Sequence, residues 1–304
     1  MFKSSIILLT GALTATPAFA CSICRCGDPT FNALGSGHMA ESGWRFALDY
    51  DQTRKSQGDA ADEFSEVTEQ RNTLLLAYGF SDRFSIIARQ PYTQRELTEI
   101  VAGDTEHSRA SGAADLELQT QTRLWASPFE GDVGARTSLF GTVGVKTPWG
   151  ENDARHNGER LDEHAQPGTG STDWIVGLSL VHQLNPKSAV FASIQQRATG
   201  ENDFGYRYGR TTLVNLALEK KLGSNFDTAL EANYRSAARD RIEGSDDDNT
   251  GGSLLFLTPR LLWHAGSGAV LRVAAQIPTS QNGLNGEQHE RTVWNVGFSW
   301  VPGD

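Results

Sequence analysis

Twelve stretches of this chain alternate apolar and polar residues, and the connections between them alternate short and long. The stretches are 43–53, 69–80, 83–93, 114–126, 134–147, 172–184, 188–199, 208–221, 224–236, 253–264, 268–277 and 291–301. After the even-numbered ones the chain turns briefly, at Ser81-Asp82, at 127–132, at Asn185-Pro186-Lys187, at Leu222-Gly223 and at Gly266-Ser267. After the odd-numbered ones it runs through polar segments at 54–68, 94–113, 148–171, 200–207, 237–252 and 278–290. Period-two segments bounded by turn residues predict an antiparallel all-β protein. The strict order of short and long connections predicts more: a closed barrel that crosses a membrane, with short periplasmic turns and long extracellular loops. A β-sandwich with Greek-key crossings has no reason to order its connections in this way.

Neighbouring residues on a strand point to opposite faces. Within 224–236, Phe226, Thr228, Leu230, Ala232 and Tyr234 share one face, and Asp227, Glu231, Asn233 and Arg235 share the other. Within 291–301, Trp294, Val296, Phe298 and Trp300 oppose Arg291, Asn295 and Ser299. A soluble barrel would turn the apolar face inward, so the aromatic residues decide. Trp44, Phe80, Phe84, Phe226, Trp263 and Trp300 fall on the apolar face at the short-turn ends of their strands, and Tyr50, Tyr92, Trp174 and Tyr234 on the same face at the opposite ends. Two such girdles form where rings meet lipid headgroups on either side of hydrocarbon. The expectation is a single antiparallel transmembrane β-barrel of about 12 strands over residues 43–304, in the outer membrane of a Gram-negative-type bacterium, with membrane lipid as its surroundings. Pro259 falls inside the tenth stretch, where it removes a ladder hydrogen bond and predicts a bulge.

The polar parity assigns Arg45, Asp49, Arg89, Asp115, Glu117, Arg123, Arg197, Glu219, Asp227, Glu231, Arg235, Arg260 and Arg272 to the interior. Both signs are present, and two readings follow. The charges pair across the lumen and stabilise it, since a buried charge without a partner is costly; or some of them line a narrow polar path that selects a small solute or metal ion by charge and size. Outside the barrel, two acidic clusters mark the predicted loops: Asp240, Glu243, Asp246, Asp247 and Asp248, and Glu151, Asp153, Glu159, Asp162 and Glu163. Carboxylates suit Ca²⁺ or Mg²⁺, but "DDDNTGG" lacks the spaced ligands of a calcium loop, and solvated loops are the plainer reading. No histidine stands with a serine and an acidic or amide partner on one outward face, so an enzyme is not expected. The formal charge of −10 disfavours nucleic acid as a partner.

The first twenty residues read as a secretory signal: Lys3, an apolar run from Ile6 to Leu13, Pro17, and Ala18-Phe19-Ala20 as the cleavage site. Cleavage after Ala20 leaves Cys21 first. Lipidation of Cys21 is the less favoured outcome, because Ala18 stands where that route prefers a leucine-like residue. Residues 21–42 then form a periplasmic segment that carries all three cysteines, Cys21, Cys24 and Cys26. With His38 as a fourth ligand, three thiolates match the donor set of Cu(I) or Zn²⁺. Periplasmic oxidation of two of them to a disulfide is the competing fate. Arg25 follows Cys24 where haem attachment requires a histidine.

The start "CSICRCGDP", the first strand "GWRFALDYD" and the last strand "VWNVGFSWV" give the chain a resemblance to the outer-membrane β-barrels grouped as transporters with the phenol-degradation MetA-type proteins. The resemblance runs over nearly all of the mature chain and implies an integral outer-membrane barrel with a transport role. It carries over no catalytic or binding residue. The expected function is therefore a channel or transporter for a small solute or metal ion, with its thiols on the periplasmic side. The alternative is a non-conducting scaffold that anchors a periplasmic partner protein, a metal or redox carrier, through the cysteine segment.

Overall fold

A computed structural model describes residues 42–59, 63–101, 104–128, 136–248, 250–282 and 289–302. Each alternating stretch of the sequence is a strand. In chain order they are β1 (Gly43–Asp59), β2 (Glu63–Gly79), β3 (Phe84–Val101), β4 (Glu117–Ala126), β5 (Thr137–Lys146), β6 (Asp173–Asn185), β7 (Ser188–Ala198), β8 (Thr211–Lys221), β9 (Phe226–Ala237), β10 (Gly252–Gly266), β11 (Ala269–Asn282) and β12 (Val293–Trp300). Every strand pairs antiparallel with its neighbours in sequence. The last strand returns to the first, with Trp300 opposite Phe46, Phe298 opposite Leu48 and Trp294 opposite Gln52. Closure leaves no open edge in the ring, which is the condition for strands to cross hydrocarbon. Among the described residues no helix is long and apolar enough to cross a membrane.

The two faces of the wall invert the order of a soluble protein. Outside, Leu216, Leu230, Val143 and Val176 are each more than half exposed. Inside, Arg235, Arg272 and Glu117 are at most 2 % exposed. Such a wall is stable only if its exterior meets lipid. The inner girdle is a run of ring contacts around the barrel's rim: Trp44 to Tyr78 at 4.9 Å, Tyr78 to Phe80 at 4.9 Å, Phe80 to Phe84 at 5.6 Å and Phe46 to Trp300 at 5.7 Å. From Phe226 at that rim to Tyr234 near the other, eight strand steps at the usual barrel tilt rise about 20 Å, close to the height of an apolar band.

Three features differ from the sequence expectation. Segments 54–68 and 94–113 are not irregular loops. The β1–β2 ladder runs unbroken from Gly43–Gly79 to Asp59–Glu63, β3 follows β2 to the same height, and a further strand, Asp104–Ala113, pairs back on β3. The hydropathy signal stops at the membrane edge because both faces turn polar there, while Thr, Val and other ladder-compatible residues carry the pairing onward. The bulge expected at Pro259 is elsewhere. The β10–β11 register is the same at Leu257–Ile277 and at Arg260–Ala274, and it shifts at Leu255/Phe256, where Phe256 faces Pro278 and Thr279 is the extra residue. A one-residue slip at Pro259 would send Thr258 and Arg260 out to lipid, so side-chain parity holds the register across the missing N–H. Finally, segments 200–207 and 237–252 are tied together by a small sheet of Tyr206–Arg207, Arg241–Ile242 and Ser245–Asp246.

Candidate functional site

Parity brings most of the predicted interior charges together as ion pairs. Arg272 contacts Asp49, Arg260 contacts Glu231 and Arg197 contacts Glu117, all of them buried. Arg235 meets Glu290 at 2.6 Å and lies over the Phe256 ring at 5.5 Å. Gly297 makes room for the first of these pairs, since a Cβ at that position would overlap both Asp49 and Arg272. Asp227 is buried near the inner rim and accepts from His264 Nε2 at 2.8 Å. Arg45 is buried and Arg89 half-buried; Glu219 is half-buried in the field of Asp227, Arg260 and Glu231. Arg123 stands apart, half-exposed at the inner rim and paired with Asp82 of the β2–β3 turn rather than with a lumenal partner.

The outer end of the lumen is filled by the connection between β5 and β6. Within it, Arg155–His156 and Glu159–Arg160 form a short hairpin, and Glu163–Ala165 makes one 3₁₀ turn capped by Asp162, whose side chain accepts from His164 N at 2.8 Å. Gln166 has no exposed surface and stitches the segment together, accepting from Ala154 N at 2.7 Å and donating to the carbonyls of Ala154 and Leu161. Arg160 bonds both carboxylate oxygens of Glu163 and stacks over Phe204 at 3.6 Å. Residues 163–169 are buried.

Three groups of wall and loop side chains hold this plug. On one side, Arg95 of β3 bonds Glu69 at 2.8 Å and donates to the carbonyls of His164 and Gln166. On a second, Lys146 at the end of β5 lies between Asp115 at 2.9 Å and Asp173 at 3.2 Å, and also contacts Thr169 and Ser171. Asp115 in turn accepts from Thr169 N at 2.8 Å, Thr169 Oγ1 at 2.6 Å and Gly150 N at 2.9 Å. Burial alone would raise the Asp115 carboxyl, but the Lys146 charge and the Thr169 hydrogen bonds hold it below the ordinary value of 3.8. The third group is a buried knot: Tyr206 OH donates to Asp240 at 2.6 Å and lies 2.8 Å from His164 Nε2, Tyr208 OH donates to the Glu163 carbonyl, and the three rings meet edge to face. Asp240 and Glu163, read from sequence as members of solvated acidic clusters, are buried in this assembly. Polar groups inside a fold are kept only when bonded, and here they are.

Inward of the plug lies a cavity of about 80 Å³ whose lining includes Arg89, Gln119, Gln121, Ser179, Phe191 and Asn215. The sequence reading missed Arg95, Glu69, Lys146, Glu290, His164 and Tyr206. Three of these were legible. Arg95 has the parity of Arg89, and Lys146 that of Thr142, so following parity past the apolar run reaches them, and Glu69 likewise stands on the inward-facing row of β2, whereas Glu290 has the parity opposite to Val293, Asn295 and Ser299. His164 and Tyr206 sit in aperiodic segments, where only the tertiary structure selects a partner. Cys21, Cys24, Cys26 and His38 lie outside the described residues, as do the expected signal peptide and residues 21–41 of the expected periplasmic segment. Among the described residues no three His, Cys, Asp or Glu side chains are grouped as a metal site.

Solved structures share this architecture. The chain is similar to an outer membrane channel from Pseudomonas putida F1, with a TM-score of 0.67 at 12 % identity over 88 % of this chain and 98 % of that one. It is also similar to the translocator domain of the autotransporter NalP from Neisseria meningitidis, with a TM-score of 0.49 at 10 % identity over 86 % of this chain and 89 % of that one. A third is the Ralstonia pickettii toluene transporter TbuX, with a TM-score of 0.45 at 9 % identity over 90 % of this chain and 92 % of that one. No family model matches the sequence, and no sequence match is found among curated proteins. The resemblance read from the strand sequences therefore holds at the level of architecture: the chain is a closed twelve-stranded antiparallel barrel of the outer-membrane type.

Proposed function

We propose that this protein is an outer-membrane channel that passes a small solute along its polar lumen, and that the β5–β6 connection closes its extracellular mouth. The observation that carries this reading is the construction of the interior. Below the plug the lumen keeps a cavity of about 80 Å³ instead of filling with side chains, and the plug is held by side-chain hydrogen bonds and ion pairs that can exchange for water. A barrel serving only as an anchor has no use for that space, since narrower barrels fill theirs. The charged pairs at the cavity, Arg260 with Glu231 above all, would set its preference among ions and solutes. The likeness in fold to the Pseudomonas putida channel supports the same reading.

The test is ion conductance of the purified mature chain in planar lipid bilayers. The channel reading expects discrete current steps whose cation-to-anion selectivity changes on Glu231→Gln. A folded barrel that stays silent at every voltage would instead fit the sealed scaffold for a periplasmic metal or redox partner.

A further inference from the structure

We propose that the outer face of the seam between β1 and β12 binds the phosphate of an outer-leaflet lipid headgroup, with Arg54 and Arg291 as its ligands.

The seam is built to bring these two side chains together. Gln52 stands opposite Trp294 and Lys55 opposite Glu290, so two residues of β1, Thr53 and Arg54, face three of the returning chain, 291–293. The extra residue is a β-bulge, a device that re-aims side chains. Strict alternation from Val293, which is fully buried, would turn Arg291 inward. Past the bulge it is Glu290 that is buried, against Arg235, and Arg291 is exposed. The Arg291 N–H donates to the Arg54 carbonyl at 2.9 Å, and both side chains reach one carboxylate of β2. Arg54 Nε lies 3.5 Å from Glu66 Oε1, and a terminal nitrogen of Arg291 lies 3.9 Å from Glu66 Oε2.

The balance of charge sets this pair apart. Exposed Arg109, Arg207 and Arg241 each have an acid to themselves, Glu96, Glu201 and Asp246. Arg54 and Arg291 share one at long range, and among the described residues their side chains meet no other acid. A positive charge is left over, and most of their N–H donors stay open. Guanidinium forks of this kind match the oxygens of a phosphate.

The height of the pair identifies what carries that phosphate. Trp294 belongs to the outer girdle, and Arg54 stands two residues beyond its partner Gln52, about 5 Å further out at the usual strand tilt. That is headgroup level. Directly below, Trp294, Val296 and Phe298 present an exposed apolar column along β12. A lipid whose phosphate meets the arginines lays its acyl chains on this column; a free phosphate ion gains nothing from it.

The experiment is native mass spectrometry of the full mature protein in a neutral detergent at fixed salt. It is titrated with diphosphoryl lipid A, with lipid A stripped of both phosphates, and with inorganic phosphate as competitor. Saturable binding of diphosphoryl lipid A is expected, at least tenfold tighter than of the stripped form and not displaced by an excess of inorganic phosphate. Arg54→Gln and Arg291→Gln should each weaken it about fivefold, and together more than tenfold, whereas Arg109→Gln should leave it unchanged. Glu66→Gln should strengthen binding severalfold, because it frees both guanidiniums; a merely structural cluster would respond in the opposite direction. All these positions are on the surface, and retention of the heat-dependent gel mobility confirms that each variant folds. The proposal is overturned if the double variant binds lipid A as the parent does, if the stripped form binds equally, or if Glu66→Gln weakens binding as the arginine variants do. Displacement by inorganic phosphate at matching concentration would also overturn it, leaving an ion site with no lipid specificity.

Discussion

Lys146 shows what one buried charge does in this wall. Its ammonium is shared among Asp115, Asp173, Thr169 and Ser171, so a single side chain ties the end of β5, the start of β6 and the plug to the segment before β4. Removing it would leave two carboxylates facing each other out of water. We expect Lys146→Met to cost about 3–5 kcal/mol, the penalty for breaking a buried pair from one side, read as the urea midpoint of the barrel's mobility shift on gels. The pH dependence follows from Asp115. Its folded value lies below its unfolded value, so the anchor contributes fully above the ordinary carboxylate range and is lost as pH falls through the depressed folded value. Protease cleavage within 151–168 should therefore be as slow at about pH 5 as at neutrality, and should quicken only below about pH 4. Asp115→Asn should make cleavage fast at neutral pH as well. Gly297 offers a second check. Gly297→Ala forces a methyl group into the Arg272–Asp49 pair and should cost about 1–3 kcal/mol by the same gel measurement, whereas Gly223→Ala, in an open turn, should cost less than about 0.5 kcal/mol. At this scale the sequence was readable wherever a residue lay on a periodic strand: Asp49, Glu231, Arg260 and Arg272 follow from parity alone. Their pairing did not, because register between distant strands decides which charges meet.

The strands are the most legible elements, since lipid outside and charge inside impose period two on every one of them. Connections are less so. The β1–β2–β3 ribbon continues beyond the membrane on residues without apolar contrast, and the plug has no period at all; its shape comes from Gln166, Asp162 and Arg160 bonding within the segment. That self-containment makes it removable. Glu151 O accepts from Gly168 N at 2.7 Å, so the two ends of the hairpin already touch, and Gly150 packs directly on Gly168. Excising residues 152–167 and joining Glu151 to Gly168 should leave a folded barrel, with the mobility shift on heating retained and far-ultraviolet circular dichroism still that of a β protein. Loss of that shift would mean that the wall depends on the plug, contrary to the ladder, which closes without it.

At the scale of the molecule the governing fact is inversion: a greasy exterior, a charged interior and rings at both rims. Trp174 and Trp294 near one rim, and Trp44, Trp263 and Trp300 near the other, are all between 41 % and 65 % exposed on the outer face. Their fluorescence should be quenched strongly by lipids brominated near the headgroup and weakly by lipids brominated near the bilayer centre; the reverse depth order would displace the girdles. The same geometry makes the lumen a polar route along the axis, with the plug across it. The measurement that tests this most directly is single-channel recording of the parent and the 152–167 excision in one planar bilayer system. The account predicts brief, small current steps for the parent and steps several times larger and longer-lived for the excised form. Silence from both, or indistinguishable currents, would contradict it.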